Sequence, residues 1–158
     1  MENPIVSIIT PVFNAKEVFK ETYDSVMSQV FSMFEWIIID DNSIDDSYEY
    51  IKKLVNGNDK IILLKNKTNL GTAQTRNLGI KKAKGKYIAF LDADDLWEKD
   101  KLEKQIKLTE AYKKAANSIM SNYIESKAIM LGVKPAEIRV RLSESYTIDD
   151  VNKVCEEL

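Results

Sequence analysis

The chain has 158 residues, 44% of them hydrophobic and 30% charged, with a net charge of −2, enough apolar content for a packed core and no basic excess that would point to nucleic acid. It contains no histidine and a single cysteine, Cys155, which excludes histidine triads, histidine metal ligands, an internal disulfide and a cysteine-based zinc site. Any bound metal must therefore be held by oxygen, which favours Mg2+ or Mn2+.

Residues 5–9 read as a buried strand closed by Thr10-Pro11, and Asn14 is a candidate helix cap. Helical spacing of Val18, Phe19, Tyr23, Val26, Met27 and Val30 predicts a helix over residues 16–30. Residues 35–39 are a second strand running into Asp40-Asp41-Asn42-Ser43, and Tyr48, Ile51, Leu54 and Val55 mark a helix over 45–55. After a turn at 56–59, residues 60–64 form a third strand; Gly71 opens a helix to about Lys82, and residues 86–91 form a fourth strand. Strands that are apolar throughout, alternating with helices, predict a parallel sheet covered on both faces. From Lys101 onward the pattern is helical: a long helix to about Leu131 ended by Gly132, a short one over 136–142 with Pro135 in its first turn, and a last one over 148–157 capped by Thr147 and Asp150. The lysines at 81, 82, 84 and 86 read as a solvated surface. Met1-Glu2-Asn3-Pro4 carries no signal-peptide pattern and no apolar run approaches a membrane span, so the cytoplasm is the expected compartment.

The densest chemistry lies at Phe90-Leu91-Asp92-Ala93-Asp94-Asp95-Leu96-Trp97. If the strand continues extended, Asp92 and Asp94 project to one side. Two carboxylates ~5 Å apart repel by roughly 3 kcal/mol at an effective dielectric of ~20 and by under ~1 kcal/mol in water. Such a pair either stays wet or holds a divalent cation, and a cation there is a handle on phosphate chemistry. Thr10-Pro11, Asp40-Asp41 and Asp92-Ala93-Asp94 all fall at strand carboxyl ends, where open parallel sheets bind ligands. Each group also has a plainer reading. Asp41, Asn42 and Ser43 could cap the next helix, Asn69 and Gly71 could be turn residues, and Arg76 could be a surface residue paired to an acid. Asp95 reads as a helix start and Trp97 as packing.

Four segments in order resemble family 2 glycosyltransferases of the GT-A fold: Val6-Ser7-Ile8-Ile9-Thr10-Pro11-Val12-Phe13-Asn14; Ile39-Asp40-Asp41-Asn42-Ser43; Asn69-Leu70-Gly71-Thr72-Ala73-Gln74-Thr75-Arg76-Asn77-Leu78-Gly79-Ile80; and Leu91-Asp92-Ala93-Asp94-Asp95. The resemblance covers about residues 4–107. It implies an α/β GT-A (Rossmann-like) sheet over 1–107, with residues 108–158 left as an all-helical extension that carries no recognised motif. It further implies inverting transfer of a hexose from a nucleotide diphosphate sugar, commonly a UDP-sugar, to a glycan or lipid acceptor in polysaccharide biosynthesis. By the same resemblance Thr10 and Pro11 line the nucleoside pocket, Asp41 accepts from the base and Arg76 helps hold the nucleotide. Asp92 faces the ribose or the metal shell, and Asp94, the last acid of the DXD motif, binds Mg2+ or Mn2+ bridging the diphosphate.

An inverting transfer also needs a base for the acceptor hydroxyl. Among Glu110, Glu125, Glu137 and Glu144 none is marked by a motif, each reads as surface charge, and the catalytic base is left unassigned. The alternative is a non-catalytic nucleotide-sugar-binding, or a truncated or chimeric, protein with a helical interaction module, associated with a partner protein or peripherally with a membrane. Phosphoryl-transfer receiver domains also place acids at strand ends, but there the acids follow the first and third strands and a lysine closes the set; here they follow the second and fourth.

Overall fold

A computed structural model of the chain describes residues 3–142 and 146–158. Glu144 and the first two residues lie outside that set. The chain divides into two compact units, Met1–Lys104 and Gln105–Leu158.

The first unit is an α/β layer structure. Four parallel strands, β1 (Val6–Val12), β2 (Phe34–Asp40), β3 (Ile61–Lys65) and β4 (Tyr87–Phe90), lie in the order β3-β2-β1-β4. Between them run α1 (Phe19–Met27), α2 (Ser47–Leu54) and α3 (Thr72–Lys82). All seven residues of β2 are buried, as expected of an apolar strand with elements on both faces. On one face Ile9, Ile37 and Ile39 pack with Ile62, Leu64, Leu78 and Ala83 beneath α3. The helix approaches closely there because Gly79 has no side chain: a Cβ at that position would sit 2.5 Å from Ile9 Cγ2. On the other face the Trp36 ring stacks on Phe19 and Tyr23 of α1, with centroids 5.8 and 6.0 Å away. Each such buried side chain contributes roughly 1.5–3 kcal/mol of transfer free energy.

Several boundaries differ from those read in the sequence. β1 does not stop at Thr10-Pro11 but continues to Val12, with Pro11 opposite Ile39. Proline is tolerated in this central strand because pairing with β4 ends at Ile9, where Leu91 N–H reaches the Ile9 carbonyl. Side-to-side alternation turns the missing Pro11 N–H toward that open side, so no ladder bond is lost. α1 is shorter than its periodicity predicts, and Val18, Met27 and Val30 are exposed. Asn14 does not cap it, since Val18 is the N-cap and carries no side-chain bond. The amino ends of the strands are closed by a buried polar chain unmarked in the sequence: Ser7 Oγ donates to Glu35 Oε1 (2.6 Å), Lys84 N–H donates to the same oxygen (2.6 Å), and Gly85 N–H donates to Ser7 Oγ (2.8 Å).

The second unit is helical. It comprises most of α4 (Lys101–Leu131), with α5 (Pro135–Arg139) and α6 (Ile148–Glu156). Gly132 stops α4 in the left-handed region, at φ 69°. Thr147 Oγ1 accepts from Asp150 N–H and Asp150 Oδ2 accepts from Thr147 N–H (2.8 Å), the reciprocal cap expected for α6. The core of this unit is Ile124, Ala128, Ile138 and Val151, with Met120, Tyr123, Val133 and Val154 among the residues packed around it. Along α4, Ile106 and Met120 are half-buried, whereas Tyr112, Ala116 and Ile119 are exposed. Among the described residues no helix is long and apolar enough to cross a membrane.

Candidate donor site at the strand carboxyl ends

The acidic and asparagine residues that follow β1, β2 and β4 lie at the carboxyl ends of those strands. β1 and β2 each exit through an asparagine with positive φ, Asn14 (52°) and Asn42 (61°), a conformation asparagine tolerates better than most residues. The two exits are stitched together. Asn14 N–H donates to Ser43 Oγ (3.0 Å), Ile44 N–H donates to Asn14 Oδ1 (3.0 Å), and Ala15 N–H donates to Ser47 Oγ (2.9 Å). Asp40, the last residue of β2, is fully buried. Its Oδ2 accepts from Ser43 N–H (3.1 Å) with Lys65 Nζ 3.9 Å away, while its Oδ1 has no hydrogen-bond partner among the described residues.

Asp41 caps no helix. It is 3% exposed and its carboxylate gathers the loop that follows β3. Oδ1 accepts from Asn66 Nδ2 (2.7 Å) and Leu70 N–H (2.9 Å), and Oδ2 accepts from Gly71 N–H (2.8 Å). Burial alone would raise this carboxyl group. The hydrogen bonds from Leu70, Asn66, Thr75 and Gly71 outweigh it and hold the group below the ordinary carboxylate value of 3.8. Asn66 also reaches Thr75 Oγ1 (3.0 Å), tying the loop to the first turn of α3. Sequence reading passed over Asn66; its one signal was its place as the first polar, uncharged residue after β3.

Beyond β4 the chain turns instead of continuing extended. Leu91 is buried, Asp95 N–H donates to the Asp92 carbonyl (3.2 Å), and Thr22 Oγ1 of α1 donates to the Ala93 carbonyl (2.8 Å). Alternation along a strand therefore does not set the relation of Asp92 to Asp94, yet both line one cavity of about 340 Å³ with Pro11, Phe13, Asn14 and Thr72. Asp92 Oδ1 accepts from Arg76 Nη2, and the guanidinium carbon lies 5.7 Å from the centroid of the Phe90 ring. Arg76 Nε is buried without an acceptor among the described residues. Asp94 is exposed and has no hydrogen-bond or ion-pair partner among the described residues.

Thr10 is absent from the cavity lining; it is buried on the α1 face, where its hydroxyl accepts from Trp36 Nε1 (2.9 Å). Asp95 starts no helix, since α4 begins at Lys101. Trp97 packs under the Lys101 ammonium, 3.3 Å from the ring centroid, and burial lowers that lysine to about 8. No cluster of three or more acidic, histidine or cysteine side chains with metal-holding geometry occurs among the described residues. Two carboxylates on one cavity, one of them without a partner, nevertheless suit Mg2+ or Mn2+, which commonly takes one or two carboxylates and completes its shell with water and substrate phosphates. In the second unit, Glu137 Oε1 accepts from Lys134 N–H (3.1 Å), and Glu125 lies 3.7 Å from Arg139.

Comparison with known proteins extends the family reading along the chain. The family model "Glycosyl transferase family 2" matches residues 7–150, beyond the last of the four motifs, which ends at Asp95. TuaG of Bacillus subtilis is 33% identical over 150 residues, covering 95% of this chain and 58% of that protein. The Escherichia coli UDP-Glc:alpha-D-GlcNAc-diphosphoundecaprenol beta-1,3-glucosyltransferase WfaP is 40% identical over 136 residues, covering 85% of this chain and 53% of that protein. The chain thus spans little more than half the length of these relatives. Among solved structures, S. aureus TarS residues 1–349 in complex with UDP superposes with a TM-score of 0.62 at 27% identity, over 67% of this chain and 32% of that one.

Proposed function

The chain belongs to glycosyl transferase family 2, and we propose that its sheet unit binds the nucleotide diphosphate of a sugar donor, a UDP-sugar, for inverting transfer of a hexose to a glycan or lipid acceptor. The observation that carries this reading is the cavity at the strand carboxyl ends, lined by Pro11, Asp92 and Asp94. Two relatives lend support. WfaP is named for a UDP-glucose donor and a diphosphoundecaprenol-linked acceptor, and TarS has been solved with UDP and with UDP-GlcNAc.

In this reading Pro11, at the end of β1, forms one wall for the nucleoside, and Thr10 acts from behind it by holding Trp36. Asp41 Oδ2 accepts from Gly71 N–H, and the carboxylate is the acceptor this reading assigns to a base N–H. The loop bonds keep that oxygen ionised and fixed. Arg76 orients Asp92 and offers a cationic neighbour to the nucleotide. Asp94, exposed and unpaired, holds Mg2+ or Mn2+, with Asp92 beside it. When bound, such an ion neutralises the negative charge that grows on the departing diphosphate. A cytoplasmic address accords with a single free cysteine.

Calorimetric titration with UDP, in Mn2+ and then in EDTA, tests the reading. Metal-dependent binding is expected, weakened about tenfold or more by Asp94→Ala and little by Asp95→Ala. Equal effects of the two substitutions would remove the metal assignment. A folded protein that binds no UDP would remove the donor site.

A further inference from the structure

One stretch of α4 is bare. Residues 111–119 are all exposed, on every side of the helix. Within and beside it, Leu108, Tyr112 and Ile119 are 55%, 68% and 66% exposed. With Ala115 they follow the 4-3-4 spacing of a coiled-coil seam, so they share one face. A helix that turns three large apolar side chains to water along one line, while its other faces carry polar residues and alanines, is half of a helix pair.

We propose that this seam packs against the same seam of a second copy of the chain, in antiparallel orientation. The direction follows from side-chain size. Antiparallel packing about a two-fold axis midway along the seam sets Tyr112 against the partner's Ala115 and Leu108 against the partner's Ile119. Every layer then meets large with small or medium with medium. A parallel, in-register pair would stack tyrosine on tyrosine and leave alanine facing alanine, one layer overfilled and the next hollow. Charge agrees with the antiparallel choice. The flanking positions place Lys104 beside the partner's Glu125, whereas in a parallel pair these two charges meet no opposite charge across the seam. Both side chains now make exposed pairs within the chain, Lys104 with Asp100 (2.7 Å) and Glu125 with Arg139 (3.7 Å), and pairs of that kind are weak enough to exchange.

Sedimentation equilibrium of the 158-residue chain reads the association directly. A dimer is expected, and Tyr112→Glu or Ile119→Glu should raise its Kd by about 100-fold, because each would bury an unpaired carboxylate in the seam. Far-UV circular dichroism of the two variants should match the parent, since both positions are solvent-exposed within one chain. Orientation is read by oxidising the triple variant Leu108→Cys, Ile119→Cys, Cys155→Ala and mapping the disulfides by mass spectrometry. The two introduced thiols sit about 16 Å apart along one helix, too far for a bond within a chain. Cross-linked 108–119 peptides support the antiparallel seam. A monomer, a dimer indifferent to both glutamate substitutions, or 108–108 and 119–119 links would each overturn it.

Discussion

In the sheet unit the two central strands are buried: every residue of β2 and six of the seven in β1 are inside, and α1 and α3 pack on the two faces through Trp36 and Gly79. In the helical unit, four side chains among the described residues are fully inside, and much of its longest helix faces water. The contrast explains where the chemistry sits. Parallel sheets bind ligands beyond their strand carboxyl ends, and the loops there are held by hydrogen bonds to a rigid floor, so carboxylates can be fixed at chosen positions. A small helical cluster offers surfaces but no comparable floor. Its polar groups serve its own caps and helix contacts, as Glu137 and Asp150 do at helix starts and Tyr123 does with Asn152.

If the contrast is real, substitutions in the sheet unit should cost more than those in the helical one. The largest loss is expected for Trp36→Ala, about 3–5 kcal/mol, since it removes a fully buried ring, two stacked neighbours and the partner of Thr10. Urea denaturation followed by circular dichroism would measure it, and a loss below 1 kcal/mol would break the contrast.

Asp41→Ala should come next, at about 2–3 kcal/mol, because the Leu70 and Gly71 N–H groups and the Asn66 amide would lose their acceptor. It carries a pH signature. The folded Asp41 carboxyl titrates below its ordinary 3.8, so its stabilisation is in place above that value and is lost as pH falls below it. Parent and variant should therefore differ most above the ordinary carboxylate range and converge as pH falls below it. A gap independent of pH would show that the charge on Asp41 is not what holds the loop. The smallest effect, about 1 kcal/mol, is expected for Thr147→Ala, which removes one half of the α6 cap. Thermal unfolding would register it, and a loss as large as that of Trp36→Ala would mean the helical unit depends on its caps far more than its small core suggests.

The alternation of apolar strands with helices, the helical nature of residues 101–131 and the Thr147–Asp150 cap could all be read from the sequence, because each depends on neighbours within a few positions. Membership of glycosyl transferase family 2 was legible too, since four short motifs in a fixed order are a property of the chain and not of its packing. What the chain could not announce were relations between distant segments. For Asp41 the sequence leaves a helix cap open beside a donor-binding role, and the fold has it hold a loop 29 and 30 residues away. Pro11 looked like the end of a strand, and lies inside one because β4 stops short next to it. Tyr112 and Ile119 recur at helical spacing along residues 101–131 and are exposed, because spacing marks an apolar face without saying what covers it. Local hydrogen bonding and side-chain periodicity are written along the chain. Which donor meets a given carboxylate, and which face meets water, depends on the loops and layers that folding brings alongside.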